Sequence, residues 1–244
     1  MIGFIFALTM RQQVLRKSTL LLIGLGLIAV IAATVFRLSD STDDPSEWTA
    51  KALVGGLVVT VVLPLTALMF GTSVLGDELE DGTAVYLLTK PVPRWQILLP
   101  KIVAPWLLTS VLVSGAALIS GFLAIQDGDS AVVIGAAVGL AAGALAYITL
   151  FVLLSLLTNH ALIVGLLYVF IWEGALSAVF EGLRYVSIRH YTLGLANGIA
   201  GDLPDTFNAY MSGGSAIILL AIVTAVCILW ANQRLQLIEI RERP

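Results

Sequence analysis

The chain has 244 residues, of which 59% are apolar and 12% charged, with a formal net charge of −3 and a mean hydropathy of +0.98. A water-facing surface carries roughly 25% charged residues, so most of this surface faces a lipid bilayer, and a disordered chain or a disulfide scaffold is excluded. There is no basic footprint for nucleic acid, and the single cysteine, Cys227, lies in an apolar run where no internal disulfide can form.

The first residues, with Phe4, Ile5, Leu8 and Leu15 beside Arg11, Arg16 and Lys17, predict an amphipathic helix on the inner membrane surface. Crossing the hydrocarbon takes about 20 apolar helical residues. Between Lys17 and Arg37 lie 19 residues without a formal charge, between Lys51 and Asp77 another 25, and between Lys101 and Asp127 another 25. Ser130 to Trp172 gives 43 uncharged residues, which the polar break Thr158-Asn159-His160 divides in two, and Thr206 to Gln233 supplies one more run. The reading is all-α: one polytopic membrane domain over residues 1–244 with six spans near 18–36, 52–76, 102–125, 131–157, 161–180 and 214–233. The first span is expected to be retained, because it starts late and lacks a clear cleavage site before its acidic flank. Nine Lys and Arg residues on one side, including Arg94, Lys101 and Arg234, against Arg37, Lys51, Arg184 and Arg189 on the other place both termini in the cytoplasm.

Catalytic chemistry finds no support in these residues. No phosphate loop occurs, and the connections are too short for a nucleotide-binding domain. His160 and His190 lack a second ligand at helical spacing, so no metal site is expected. Gly135, Gly139 and Gly143 recur every four residues and predict a close helix seam, within one protomer in preference to between two. Glu173 is the one ionisable residue inside a predicted span, roughly 18 Å from its inner boundary at 1.5 Å per residue. Two readings stand equal for it: an inward-facing structural or pathway carboxylate, or an interfacial group beside Trp172.

The second connection, from Gly76 to Lys101, is acidic first, then carries Gly82-Thr83, the short apolar run Ala84 to Leu88, and the pair Pro91 and Pro93 before Arg94. Such a segment can lie along the membrane or present a rigid knob to a soluble partner, and an ordinary amphipathic loop is equally compatible. The pattern Glu78, Glu80, Gly82, Thr83, Leu87, Leu88, Pro91, Arg94 and Lys101, between the second and third of six helices, resembles the permeases of type-2 ATP-binding-cassette (ABC) exporters. Pro93 and Pro100 depart from that pattern by adding prolines around the Arg.

The resemblance implies a multi-pass protein of the inner (cytoplasmic) membrane that forms the translocation path and is no enzyme itself. It implies that residues 78–94 hold a short coupling helix, Ala84 to Leu88, seated on a separately encoded ABC ATPase, present in two copies, and that a second permease protomer completes the path, as a homodimer in preference to a heterodimer with a sister permease. ATP and magnesium are then bound by the partner ATPase, with no cofactor on this chain. It also implies a re-entrant outer hairpin between the fifth and sixth spans, which suits Glu181 to Gly214. There Tyr185, Tyr191, Phe207 and Tyr210 are read as interface anchors, Gly194, Gly198 and Gly201 as turn glycines, and Arg184 and Arg189 as groups facing lipid phosphates. A Trp-Glu pair such as Trp172-Glu173 is common in similar permeases. The alternative is a secondary transporter that uses Glu173 as its proton-coupling group.

Overall fold

A computed structural model of the chain describes residues 2–39, 44–80, 93–125, 130–201, 207 and 209–237. Among these every regular element is helical. In chain order they are α1 (Ile2–Val14), α2 (Lys17–Leu38), α3 (45–80), α4 (Trp95–Ala124), α5 (Ser130–Leu157), α6 (161–179), a short tightly wound helix Glu181–Val186, α7 (Ile188–Ala200) and α8 (Gly213–Leu237). Five of them, α2, α3, α4, α5 and α8, are long and apolar enough to cross a membrane. The apolar stretch of α6, Ala161–Leu176, is shorter, and at about 1.5 Å per residue it spans less than the hydrocarbon thickness. The helix ends at Val179, where Phe180 turns extended at φ −104° and ψ 109°.

α5 is the hub. It carries no charged residue and packs against α3, α4, α7 and α8. Within their most apolar windows 61% of α5 and 67% of α3 are buried, against 22% of α2 and 22% of α8, so the last two are the helices that must face lipid or another chain. Side-chain donors reach across to free lone pairs on helix carbonyls: Trp106 Nε1 donates to Ala141 O at 2.8 Å and Ser114 Oγ to Ala137 O at 2.9 Å, both joining α4 to α5. Other hydroxyls bond back within their own helix, as Thr72 does to Leu68 O at 2.7 Å and Ser120 to Ala116 O at 2.7 Å. Where water is absent, such bonds are the inexpensive way to keep a hydroxyl.

Two helices begin well before the charges that flank the predicted spans. α3 opens at Pro45, whose missing N–H suits a first helical position, with the Asp44 carboxylate accepting from the Ser46 amide at 3.0 Å. Its Lys51 stays helical by pairing with Glu47 at 2.7 Å, one turn back. α4 opens at Trp95 and carries Lys101 inside it, almost fully buried. The stretches Thr49–Val62 in α3 and Tyr168–Leu176 in α6 are wound wider, with backbone bonds stepping five residues, as from the Leu63 amide to Val58 O and from the Ser177 amide to Trp172 O. This winding is rare and concentrates at functional positions.

α1 is helical, as the first residues predict. Phe4, Leu8 and Leu15 are exposed, whereas Ile5, Thr9 and Gln13, spaced four apart, form the buried stripe. α1 packs along α4, so its contact face is partly polar and its large apolar side chains point away from the protein.

Candidate functional site

The best-defined polar constellation joins α6 to the start of α7. Glu173 is only 4% exposed, and its carboxylate is shared among three donors: Ser187 Oγ at 2.5 Å to Oε2, with the Ile188 amide at 3.0 Å and the Tyr168 hydroxyl at 3.0 Å to Oε1. Next to it, Trp172 Nε1 donates to Val186 O at 3.3 Å. The Trp-Glu pair thus holds residues 186–188 from both sides. The first amides of a helix have no partner within it and attract negative charge. Ser187 stands at the cap position of α7 yet does not cap with its own side chain, and the carboxylate of a different helix does so. The Glu173 side chain is therefore buried and bonded within the chain. Tyr147, fully buried on α5, keeps a hydroxyl without a hydrogen-bond partner among the described residues.

α7 is seated by backbone contact on two faces. On one, the glycine stripe of α5 receives it: a Cβ at Gly135 would lie 2.6 Å from Ala196 O, one at Gly139 would lie 2.8 Å from Thr192 O, and one at Gly143 would strike the Thr192 side chain. The glycine seam therefore lies between α5 and α7. On the other face, a Cβ at Gly198 would lie 2.7 Å from the Gly213 Cα, and one at Gly194 would lie 3.1 Å from the Ala216 Cβ, at the start of α8. Gly194 and Gly198 are thus packing glycines inside a helix. Gly201, with φ of +89°, ends the helix in a conformation that favours glycine.

Arg184 and Tyr210 gather around the first turn of α7, where Arg189 and His190 stand. The Arg184 guanidinium lies 4.2 Å from the centre of the Tyr210 ring and its Nε donates to Ser177 O at 3.3 Å, while His190 meets the same ring edge-on at 5.3 Å. Arg189 Nε is buried without a hydrogen-bond partner among the described residues. Tyr185 and Tyr210 are exposed as anchors would be, but Tyr191 and Phe207 are buried: Tyr191 donates to Tyr185 O at 2.5 Å.

Burial, and then the charges of Arg189 and Arg184, push the His190 imidazole down to about 4, outside the spanning helices. A histidine of the unfolded chain titrates near 6.5, so the neutral form is the one the fold accepts. The stability this provides is fully present above about 6.5 and is lost as pH falls toward 4. Acidifying the detergent-solubilised protein through that window should therefore lower its melting temperature more in the wild type than in His190→Gln. Equal falls would show that His190 does not contribute.

Arg94 is half-buried immediately before α4, and its carbonyl accepts from the Ile97 and Leu98 amides at 3.1 and 3.0 Å. Glu78 and Glu80 stand on the last turns of α3. Gly82, Thr83, Leu87, Leu88 and Pro91 lie outside the described residues. Among the described residues no group of His, Cys, Asp and Glu could hold a metal ion. The residues that sequence reasoning missed are the partners, Tyr168, Ser187 and Thr192. Ser187 alone left a signal, a serine directly before a helical run.

A family model described as ABC-2 family transporter protein matches residues 6–231. No curated protein matches the chain.

Proposed function

The chain belongs to the ABC-2 transporter family, and from that premise we propose that it is the permease subunit of an ATP-driven exporter, working as a homodimer on a pair of separately encoded ATPases. The observation that carries this is the extent of the match, from Phe6 to Ala231, which takes in nearly the whole of every helix long and apolar enough to cross a membrane as well as the connection between α3 and α4. It is a multi-pass membrane protein. In this reading α6 completes a sixth crossing, both termini face the cytoplasm of an inner membrane, and residues 181–214 form the outer hairpin. Residues 78–94 are the coupling segment, with ATP and magnesium held by the partner and the chain itself catalysing nothing.

The buried, triply bonded carboxylate of Glu173 gives no support to the rival proton-coupled transporter, since its oxygens are committed to holding α7. Leu87 and Leu88 would fill a pocket on the ATPase, each contributing about 1.5–3 kcal/mol on burial, while charges at its rim, Glu78 and Glu80 in this reading, would contribute less. Leu87→Asp should abolish co-purification of the ATPase at unchanged permease yield and thermal stability, and Arg94→Ala should weaken it only in part. A pull-down in which Leu87→Asp retains the full complement of ATPase would overturn the coupling assignment.

A further inference from the structure

Two buried side chains reach the same stretch of α3 from different helices. Gln13, in the last turn of α1 and 4% exposed, donates from Nε2 to Phe70 O at 3.1 Å, and Lys101, in α4 and 1% exposed, donates from Nζ to Val74 O at 3.0 Å. Phe70 and Val74 are one turn apart, so the two carbonyls stand on one face of α3, about one helical pitch from each other. Both are helix carbonyls using a second lone pair. Neither donor is placed there cheaply. The Lys101 ammonium gives up water for its site, and the Oε1 of Gln13 is buried with no hydrogen-bond partner among the described residues. The join is tightened further because Thr19 Oγ1, from α2, donates to Gln13 O at 2.5 Å. Val74 is three residues before Asp77, where the acidic connection opens, and Lys101 is seven after Arg94, where it ends.

We propose that Gln13 and Lys101 are positioning residues that clamp the inner ends of α1 and α4 onto α3, so that the three helices move as one body. The proposal rests on the transporter reading for its purpose: a push on the connection between α3 and α4 would otherwise be absorbed by splaying of the two helices it joins. With both feet of the connection tied across the Lys101–Val74 bond, and α1 tied through Gln13, the displacement passes up the spans. Both acceptors, Phe70 O and Val74 O, lie in α3 before the connection begins.

The test uses the full chain, Cys227 replaced by Ala, in lipid nanodiscs, with spin labels at Leu8 on α1 and Leu99 on α4, both exposed. The parent should show one narrow distance; Lys101→Met and Gln13→Met should broaden it, and Lys101→Arg should restore it. The same proteins, with the ATPase that co-purifies, are then given ATP while a fluorescent label reports from Phe122 near the far end of α4. In the two Met variants the ATP-driven signal per ATP hydrolysed should fall at least about fivefold, the lower end of measured coupling energies between sites. If Lys101→Met gives no folded protein, Gln13→Met, which strands no charge, is decisive by itself. Narrow distances in both Met variants would overturn the clamp, and broadened distances with an unchanged signal per ATP would overturn its role in coupling. Absence of any ATP response in the parent would count against the transporter reading instead, with the clamp still judged by the distances.

Discussion

Glu173→Ala should lower the melting temperature sharply and release the N-terminal end of α7, with backbone amides from about residue 186 onward exchanging faster with solvent. Three donors lose their acceptor at once: the Ser187 hydroxyl, the Ile188 amide and the Tyr168 hydroxyl. A buried group left unpaired costs about 1–3 kcal/mol, so the loss totals about 3 kcal/mol or more, a large part of the 5–15 kcal/mol that holds a typical domain. Glu173→Gln separates the explanations. Its carbonyl oxygen still serves the Ile188 amide, and the Ser187 hydroxyl can rotate to accept from the new NH2, so a loss of about 1 kcal/mol and retained ATP-driven transport are expected. A Gln variant as defective in transport as the Ala variant, at normal stability, would show that the carboxylate must titrate and would revive the proton-coupled alternative.

Gly139→Leu should be the second severe substitution, and Gly139→Ala should already be felt. A Cβ at this position meets backbone: Thr192 O at 2.8 Å and the Ala196 amide nitrogen at 3.1 Å. No flexible side-chain end is there to step aside, so α5 and α7 must separate along the seam. Overpacking costs about 1–3 kcal/mol in ordinary cores and more where the backbone must move. Gly24, where an added Cβ would meet nothing within 4 Å, supplies the control, and Gly24→Ala should be neutral or slightly stabilising. Purified yield and melting temperature of the three variants decide the matter. Wild-type values for Gly139→Leu would mean that α7 does not rest on the stripe.

How much of this was legible in the sequence depends on the distance over which each signal acts. Hydrophobic runs between charges gave the order and approximate place of the five helices long and apolar enough to cross a membrane, since crossing a bilayer is a local demand on length and polarity. The same rule misplaced two starts, because it treats every Lys as an end. Lys51 is neutralised by Glu47 within the helix, and Lys101 is buried against Val74 O, a partner 27 residues away that no local pattern announces. Glu173 could be singled out as costly where it stands, yet its partners Ser187 and Ile188, 14 and 15 residues on, follow from the return of the chain after Phe180. Glycines are the sharpest case. The four-residue spacing on α5 announced a seam but not its occupant, and Gly194 and Gly198, read as turn formers, are spaced to let two backbones touch. The N-terminal helix was recognised by its mixed composition, but the face it buries is set by Gln13 and Thr9, not by its largest apolar residues.

The seating of α7 between α5 and α8 also fixes the order in which the molecule can be assembled during synthesis. When α7 leaves the ribosome its glycine-lined bed on α5 and the Trp172-Glu173 pair on α6 have already been made, so its N-terminal end can dock at once. The face carrying Gly194 and Gly198 has no counterpart until Gly213 and Ala216 have followed. The packing around α7 is therefore completed last, by the final helix. A chain arrested or cut before α8 would leave the face of α7 that carries Gly194 and Gly198 uncovered.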